Sequence, residues 1–217
     1  MRLPNLPLET LLLFTRYPRP GLVKTRLIPA LGAEGAARLQ QRMTELMYRQ
    51  VLAMKEKRGL RVEVYFDGGS TKEVRRWVPI GCAAKKQSGG DLGMRMRHAV
   101  NSAFACDAAR TVIIGADCPF LTVELLDEAF NLLRTWDAVI GPAHDGGYYL
   151  LGLSRPADLL WENINWGGES VLRQTMDKCK AHSITVAMLP PLPDIDRPED
   201  LALLANDFPE LLTGLDI

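Results

Sequence analysis

The sequence predicts an α/β fold, an open and mostly parallel sheet with helices on both faces, in a single domain over residues 1–217. Three observations predict it. Extended and helical patterns alternate along nearly the whole chain. The runs at 11–14 and 111–114 are short and almost wholly apolar, as expected of strands buried on both faces. Residues 33–57 instead place Leu39, Met43, Leu46, Met47, Val51 and Met54 at three- and four-residue intervals, which is one face of an amphipathic helix.

The elements follow in order. Residues 11–15 form the first strand and 33–57 the first helix. Residues 61–66 alternate polar and apolar, with Val62, Val64 and Phe66 on one side, and Gly68-Gly69-Ser70 turns the chain. A helix over 71–77, a weaker strand over 80–84 and a helix over 91–104 come next. After the strand at 111–114, Thr122 reads as the N-cap of a helix through Leu133, turning Leu125, Leu126, Ala129 and Leu133 inward. Strands over 137–141 and 148–153 precede a helix over 170–180. The last strand covers 184–189 and the last helix 197–206. The intervening Pro190-Pro191-Leu192-Pro193 is a stiff connection rather than a domain boundary.

Composition narrows the function class. Hydrophobic residues at 47% and charged residues at 24% are globular proportions, which argues against disorder. Lys plus Arg and Asp plus Glu are 26 each, and this zero net charge speaks against a nucleic-acid coat. The apolar run at 11–14 is far short of the ~20 residues of a spanning helix. The N-terminus has no basic-then-apolar signal pattern. Cys82, Cys106, Cys118 and Cys179 form no CxxC pair, and His98, His144 and His182 are scattered. A cytoplasmic enzyme with reduced thiols, no membrane span and no nucleic-acid partner is expected.

Ligands of such sheets bind outside the carboxyl ends of the strands, so the loops there carry the functional reading. Between Glu9 and Glu34 every charge is positive: Arg16, Arg19, Lys24 and Arg26, with Pro18, Pro20 and Gly21 fixing the course of the loop. Fixed cations beside the Thr25 hydroxyl suit a polyphosphate. The plainer alternative is a solvated basic loop. Neither GxxxxGK[ST] nor GxGxxG is present. Gly115-Ala116-Asp117-Cys118-Pro119 sets a carboxylate at the end of a buried strand, where oxygen ligands suit Mg²⁺ or Mn²⁺; a turn-forming Asp is the alternative. Asp196 could be a second carboxylate for the ion, or an N-cap with Glu199 three residues on.

Gln87-Ser88-Gly89-Gly90-Asp91 opens a helix and lets backbone approach a base. Asp145-Gly146-Gly147 is either a hairpin turn or an acceptor-binding loop, and His144 reads as a surface residue. Trp161 and Trp166 could stack on a sugar or base but read mainly as packing.

These blocks, in this order, resemble a known family. The run from Phe14 to Leu27, with Pro-Gly-x-Val-Lys-Thr-Arg-Leu, precedes Gln87…Asp91-Leu92-Gly93…Arg95-Met96 and Gly115-Ala116-Asp117-Cys118-Pro119. Asp145-Gly146-Gly147-Tyr148-Tyr149 and Asp194-Ile195-Asp196-Arg197-Pro198-Glu199-Asp200-Leu201 complete the set. It is similar to bacterial glycosyltransferase-A-like proteins related to 2-phospho-lactate guanylyltransferases. The resemblance implies a Rossmann-like nucleotide-diphospho-sugar transferase fold, with nucleotide on one half and acceptor on the other. It implies that Lys24 and Arg26 hold the triphosphate with help from Arg16. It puts Gln87 and Gly89 near the base, Asp117 and Asp196 on the divalent ion, and Asp145 towards the acceptor. The chain departs from the pattern twice. Arg16 to Gly21 replaces the Gly-rich opening loop, and the usual Asp-x-Asp pair is Gly115-x-Asp117.

Three functions are compatible with these features. The first is metal-dependent nucleotidyl transfer from a nucleoside triphosphate to a small phosphorylated acceptor, with Lys24 and Asp117 catalytic. The second is glycosyl transfer from a nucleotide-sugar. The third is nucleotide binding without catalysis. Net neutrality conceals an asymmetry relevant to all three. The loop from Arg16 to Arg26 is wholly basic. The tail from Pro190 carries Asp194, Asp196, Glu199, Asp200, Asp207, Glu210 and Asp216 against Arg197 alone.

Overall fold

The computed structural model describes residues 8–215, so Asp216 of the acidic tail lies outside the described residues. Seven strands form one sheet: β1 (Glu9–Arg16), β2 (Arg61–Asp67), β3 (Ala83–Lys86), β4 (Arg110–Gly115), β5 (Ala138–Pro142), β6 (Tyr148–Leu153) and β7 (Val186–Met188). Their order is β3-β2-β1-β4-β6-β5-β7. All neighbours are parallel except β6, which runs antiparallel to both β4 and β5. The expected mixed, mostly parallel sheet is therefore present.

Helices cover both faces, as parallel strands require. One face packs against α1 (Ile28–Arg58), α2 (Thr71–Trp77), α4 (Val123–Leu132), α6 (Leu201–Asp207) and α7 (Pro209–Leu212). The other packs against α3 (Leu92–Ala105) and α5 (Val171–Ala181). Helix α1 starts five residues before the expected boundary. Pro29 fits its first turn, where the missing N–H has no intrahelical partner to lose, and Gly32 (φ 66) kinks it. Ser70 and Glu73 cap α2 reciprocally, Asp91 accepts the Met94 N–H to cap α3, and Thr122 caps α4 as expected.

Val62, Val64 and Phe66 of β2 share one side as expected, and Glu63 on the other side is buried with Lys85, Arg61 and the Tyr65 hydroxyl around it. Four readings need correction. Strand β3 begins at Ala83 rather than residue 80, since Gly81 (φ 86) is still in a turn. Strand β7 is only three residues long. The expected helix over 197–206 opens as a 3₁₀ turn (Pro198–Asp200) before α6, and α7 follows it. Here Asp200, not Asp196 with Glu199, does the capping: its carboxylate accepts the N–H groups of Asp196 (2.9 Å) and Arg197 (2.7 Å).

Candidate functional site

Because β1, β2, β3, β4, β5 and β7 run parallel, their carboxyl ends lie along one edge of the sheet. The antiparallel β6 starts at that edge, so the β5–β6 hairpin joins the same group of loops. A cleft of about 510 Å³ opens there. Arg16, Lys24, Gln87, Asp117, Asp145, Gly147 and Asp196 all line it, brought together from five separate stretches of sequence. Thr25, Arg26, Gly89 and Gly146 stand beside it without lining it.

Lys24 ties the site together. It has a left-handed backbone (φ 47), and its side chain is only 3% exposed. Its ammonium pairs with the Asp117 carboxylate and donates to the Ile195 carbonyl. The Ile195 N–H in turn donates to the Asp117 carbonyl at 3.0 Å. Ile195 is fully buried, so an extended Asp-Ile-Asp segment is pinned with its acidic neighbours toward the cleft. The Arg26 guanidinium pairs with Asp196. Both cations expected on phosphate thus hold the two carboxylates expected on metal.

Asp194, which was not singled out from sequence, also lines the cleft. Burial pushes its carboxyl above the usual carboxylate range, and Asp145, Asp200 and Asp196 add to the effect. Period-two alternation around Ile195 is the signal that marks Asp194 as a partner of Asp196. Cys118 lies at the cleft floor, but burial pushes its thiol up to about 12, so it packs rather than attacks.

The loop expected near a base differs in detail from the expectation. The Gln87 amide nitrogen donates to the Thr15 and Tyr65 carbonyls (3.3 and 3.1 Å), and its oxygen accepts from Arg95 (3.3 Å). Gln87 therefore braces the loop instead of offering a free edge to a base. Arg95 also pairs with Asp67 (3.0 Å) and donates to the Gly90 carbonyl (3.0 Å), so the loop over 87–91 is held from three sides. Beneath it, Thr15, Gln40 and Thr44 form a buried hydrogen-bonded cluster, and Gln40 reaches the cleft.

On the far side, Asp145 accepts the Gly147 N–H (2.8 Å) within an exposed hairpin, so the turn and a cleft-facing carboxylate coexist. His144 is exposed. Trp161 is buried packing, as expected, and stacks on Trp166 with centroids 6.3 Å apart. Trp166 is half-buried and lines the cleft. It lies so close to the first turn of α3 that a Cβ on Gly93 would stand 2.0 Å from its indole nitrogen.

Comparison with known proteins adds family context. A family described as an uncharacterized protein conserved in bacteria (DUF2064) matches residues 48–168, more than half of the chain. The matched span holds Gln87, Asp117 and Asp145. The 2-phospho-L-lactate guanylyltransferase of Methanocaldococcus infernus is 30% identical over 114 residues, 51% of this chain and 51% of that protein. The chain thus matches about half the length of this curated relative. A crystal structure of a candidate nucleotide-diphospho-sugar transferase from Desulfovibrio desulfuricans G20 superposes with a TM-score of 0.85 at 32% identity, covering 94% of this chain and 90% of the other. The 4-diphosphocytidyl-2C-methyl-D-erythritol synthase of Anaerococcus prevotii superposes at 0.63 with 13% identity over 94% and 96% of the two chains, a likeness of fold alone.

Proposed function

The chain belongs to this bacterial family (DUF2064) and has the nucleotide-diphospho-sugar transferase fold, and from that premise we infer that it is a nucleotidyltransferase. On this reading it joins the nucleoside monophosphate of a triphosphate to a small phosphorylated acceptor. The reading rests above all on two ion pairs at the cleft, Lys24–Asp117 and Arg26–Asp196. A polyphosphate carrying a divalent cation offers each partner a replacement of the right charge. Lys24, Arg26 and Arg16 exchange carboxylate or solvent for phosphate oxygen, and Asp117 and Asp196 exchange cation for metal.

The donor set suits Mg²⁺ or Mn²⁺. Asp117, Asp145, Asp194 and Asp196 supply only oxygen to the cleft. Among the described residues no group of three His, Cys, Asp or Glu forms a ready-made cage. Mg²⁺ commonly takes one or two protein carboxylates plus substrate phosphates, so Asp117 and Asp196 suffice. When bound, the ion neutralises charge on phosphate oxygens.

The chain's own part is positioning and electrostatics. Lys24, already nearly excluded from water, sets its ammonium against the charge that grows as the acceptor oxygen bonds to the α-phosphorus. The bond from the α-phosphorus to its bridging oxygen breaks, and pyrophosphate leaves with that electron pair. An acceptor phosphate is already ionised, so the absence of a His among the residues lining the cleft fits the chemistry. The single-domain reading of residues 1–217 belongs to the same proposal, since every loop the reaction needs hangs from one sheet.

Release of pyrophosphate from the four common triphosphates, with Mg²⁺ and a panel of phosphorylated acceptors, tests the function. Acceptor-dependent release supports it, and background release throughout rejects it. One observation favours glycosyl transfer as a second reading. Only one Asp145 oxygen is bonded to Gly147, leaving the other free to act as a base towards an acceptor hydroxyl. Turnover of a nucleotide-sugar without turnover of any triphosphate selects that reading.

Gly115 gives a separate check on the metal. A Cβ there would meet nothing nearer than the Asp117 backbone nitrogen at 3.9 Å, so the position has room for a Cβ, and Gly115→Asp would supply the Asp-x-Asp pair. The variant is expected to bind Mn²⁺ in the presence of nucleotide about 10-fold more tightly, read by calorimetry, because it adds an anionic oxygen donor.

A further inference from the structure

We propose that Gln40 reads the sugar of the nucleotide: its side-chain carbonyl accepts a ribose hydroxyl, so the cleft distinguishes ribonucleoside from deoxyribonucleoside triphosphates. This rests on the nucleotidyl-transfer reading and adds a residue to the same site. Gln40 belongs to α1, where that helix packs over the end of β1. It is 4% exposed, yet it lines the cleft. Burying an amide costs free energy unless both of its ends are bonded, so the partner of each end matters.

Donor counting fixes how the amide is turned. The Thr44 hydroxyl donates to the Gln40 main-chain carbonyl (2.9 Å). A hydroxyl has one proton, so in the Thr15–Thr44 contact (2.9 Å) Thr15 is the donor. Neither hydroxyl has a proton left for the Gln40 side chain, and both can only accept from it (3.4 Å to Thr15, 3.3 Å to Thr44). The amide nitrogen supplies those two bonds, and the carbonyl oxygen is the end turned away from them. That oxygen has no protein partner among the described residues and is not sealed from solvent. Gln40 thus offers the cleft a fixed, unpartnered acceptor.

An acceptor selects a donor and is no partner for a phosphate oxygen. In a nucleoside triphosphate the donors are the sugar hydroxyls and the N–H groups of the base. The placement of Gln40 favours the sugar. Its partner Thr15 is tied to both ends of the ligand's path. The Thr15 carbonyl accepts from Gln87, in the loop expected near the base (3.3 Å). From Thr15 the chain runs through Arg16 to Lys24, the cation assigned to phosphate. Ribose joins base to phosphate in a nucleotide, and Thr15 with Gln40 stands at the corresponding junction of the site. Gln40 also comes from the opposite face of the sheet to α3, the helix that the 87–91 loop opens.

The test titrates the full-length protein, in Mg²⁺, with the four ribonucleoside triphosphates. The one that binds most tightly is then compared with its 2′-deoxy and 3′-deoxy forms. At least one deoxy form is expected to bind about 10-fold more weakly, because it leaves a nearly buried acceptor unpaired. Gln40→Met keeps the length of the side chain and removes the acceptor. It should weaken the ribonucleotide by the same factor and leave that deoxy form unchanged, so the preference disappears. A merely structural role would weaken both ligands alike and keep their ratio. Equal binding of all three forms to the unmodified protein overturns the proposal, and so does a ratio that survives Gln40→Met. Lost discrimination among the four bases in Gln40→Met, with the sugar ratio intact, assigns the carbonyl to a base and also overturns it. Failure of every triphosphate to bind refutes the nucleotidyl-transfer reading instead, and this proposal falls with it.

Discussion

Lys24→Ala is expected to lower turnover by about 100- to 1000-fold while the protein stays folded, the magnitude found when one preorganised charge at a reacting oxygen is removed. Lys24 is the only cation of the basic loop whose side chain is nearly excluded from water, and it joins three loops through Asp117 and the Ile195 carbonyl. Its removal leaves Asp117 without that partner, but Asp117 is 57% exposed and hydrates readily. The loss should therefore appear in activity rather than in folding. Single-turnover kinetics checks it: a reduced rate at saturating nucleotide is expected. A change in nucleotide affinity alone would make Lys24 a binding residue without a role in the transition state.

Arg58→Ala is expected to give the largest loss of stability. At the sheet edge opposite the cleft, Arg58 closes a ring of charges where α1 ends. Its guanidinium forks onto Glu9 (2.8 and 3.0 Å) and also meets Asp127 (2.5 Å), with Arg58 and Glu9 side chains each only 10% exposed. Removing it leaves the buried Glu9 carboxylate with only the longer Arg110 contact (3.5 Å), and losing the main partner of a buried ion pair costs about 3–5 kcal/mol. For a chain of this length the melting temperature should fall by roughly 10 °C. Glu9→Leu with Arg58→Met should recover most of the loss, since it removes both charges and keeps the volume. Chemical denaturation of the three proteins measures this, and an unchanged midpoint for Arg58→Ala would contradict the account.

Much of the fold was legible because its signals are local. Leu11, Leu12 and Leu13 are buried whichever face they point to, and so are Val112, Ile113 and Ile114, so apolar runs located β1 and β4 without knowledge of the partners. Thr122 caps α4 through a bond only three residues long. The missed features depend on distance. Strand β3 is short and lies on the edge, with β2 as its only neighbour, so little burial marks its boundaries. Helix α7 has four residues, too few for a periodic stripe. The choice of Asp200 over Glu199 as the cap is a matter of one residue in a 3₁₀ turn.

The candidate site divides in the same way. Arg16, Lys24, Asp117, Asp145 and Asp196 could be picked out because charged residues stood in loops at strand ends, and the parallel sheet brings those ends together. What sequence did not show was who pairs with whom. Lys24 reaches Ile195 across 171 positions, and Arg95 reaches Asp67 across 28. Gln87 looked like a base contact, yet its amide is fully engaged by backbone and Arg95, which no local pattern could reveal. Asp194 was readable in principle from the Asp-Ile-Asp alternation.

On the nucleotidyl-transfer reading, the Lys24–Asp117 and Arg26–Asp196 pairs open together to admit a triphosphate and its divalent ion. Calorimetric titration of the four nucleoside triphosphates, with and without Mg²⁺, reads that exchange. Mg²⁺ is expected to strengthen binding of the preferred triphosphate by about 100-fold, and Asp117→Asn with Asp196→Asn to abolish this coupling. Triphosphate affinity that is unchanged by Mg²⁺ in the unmodified protein would contradict it.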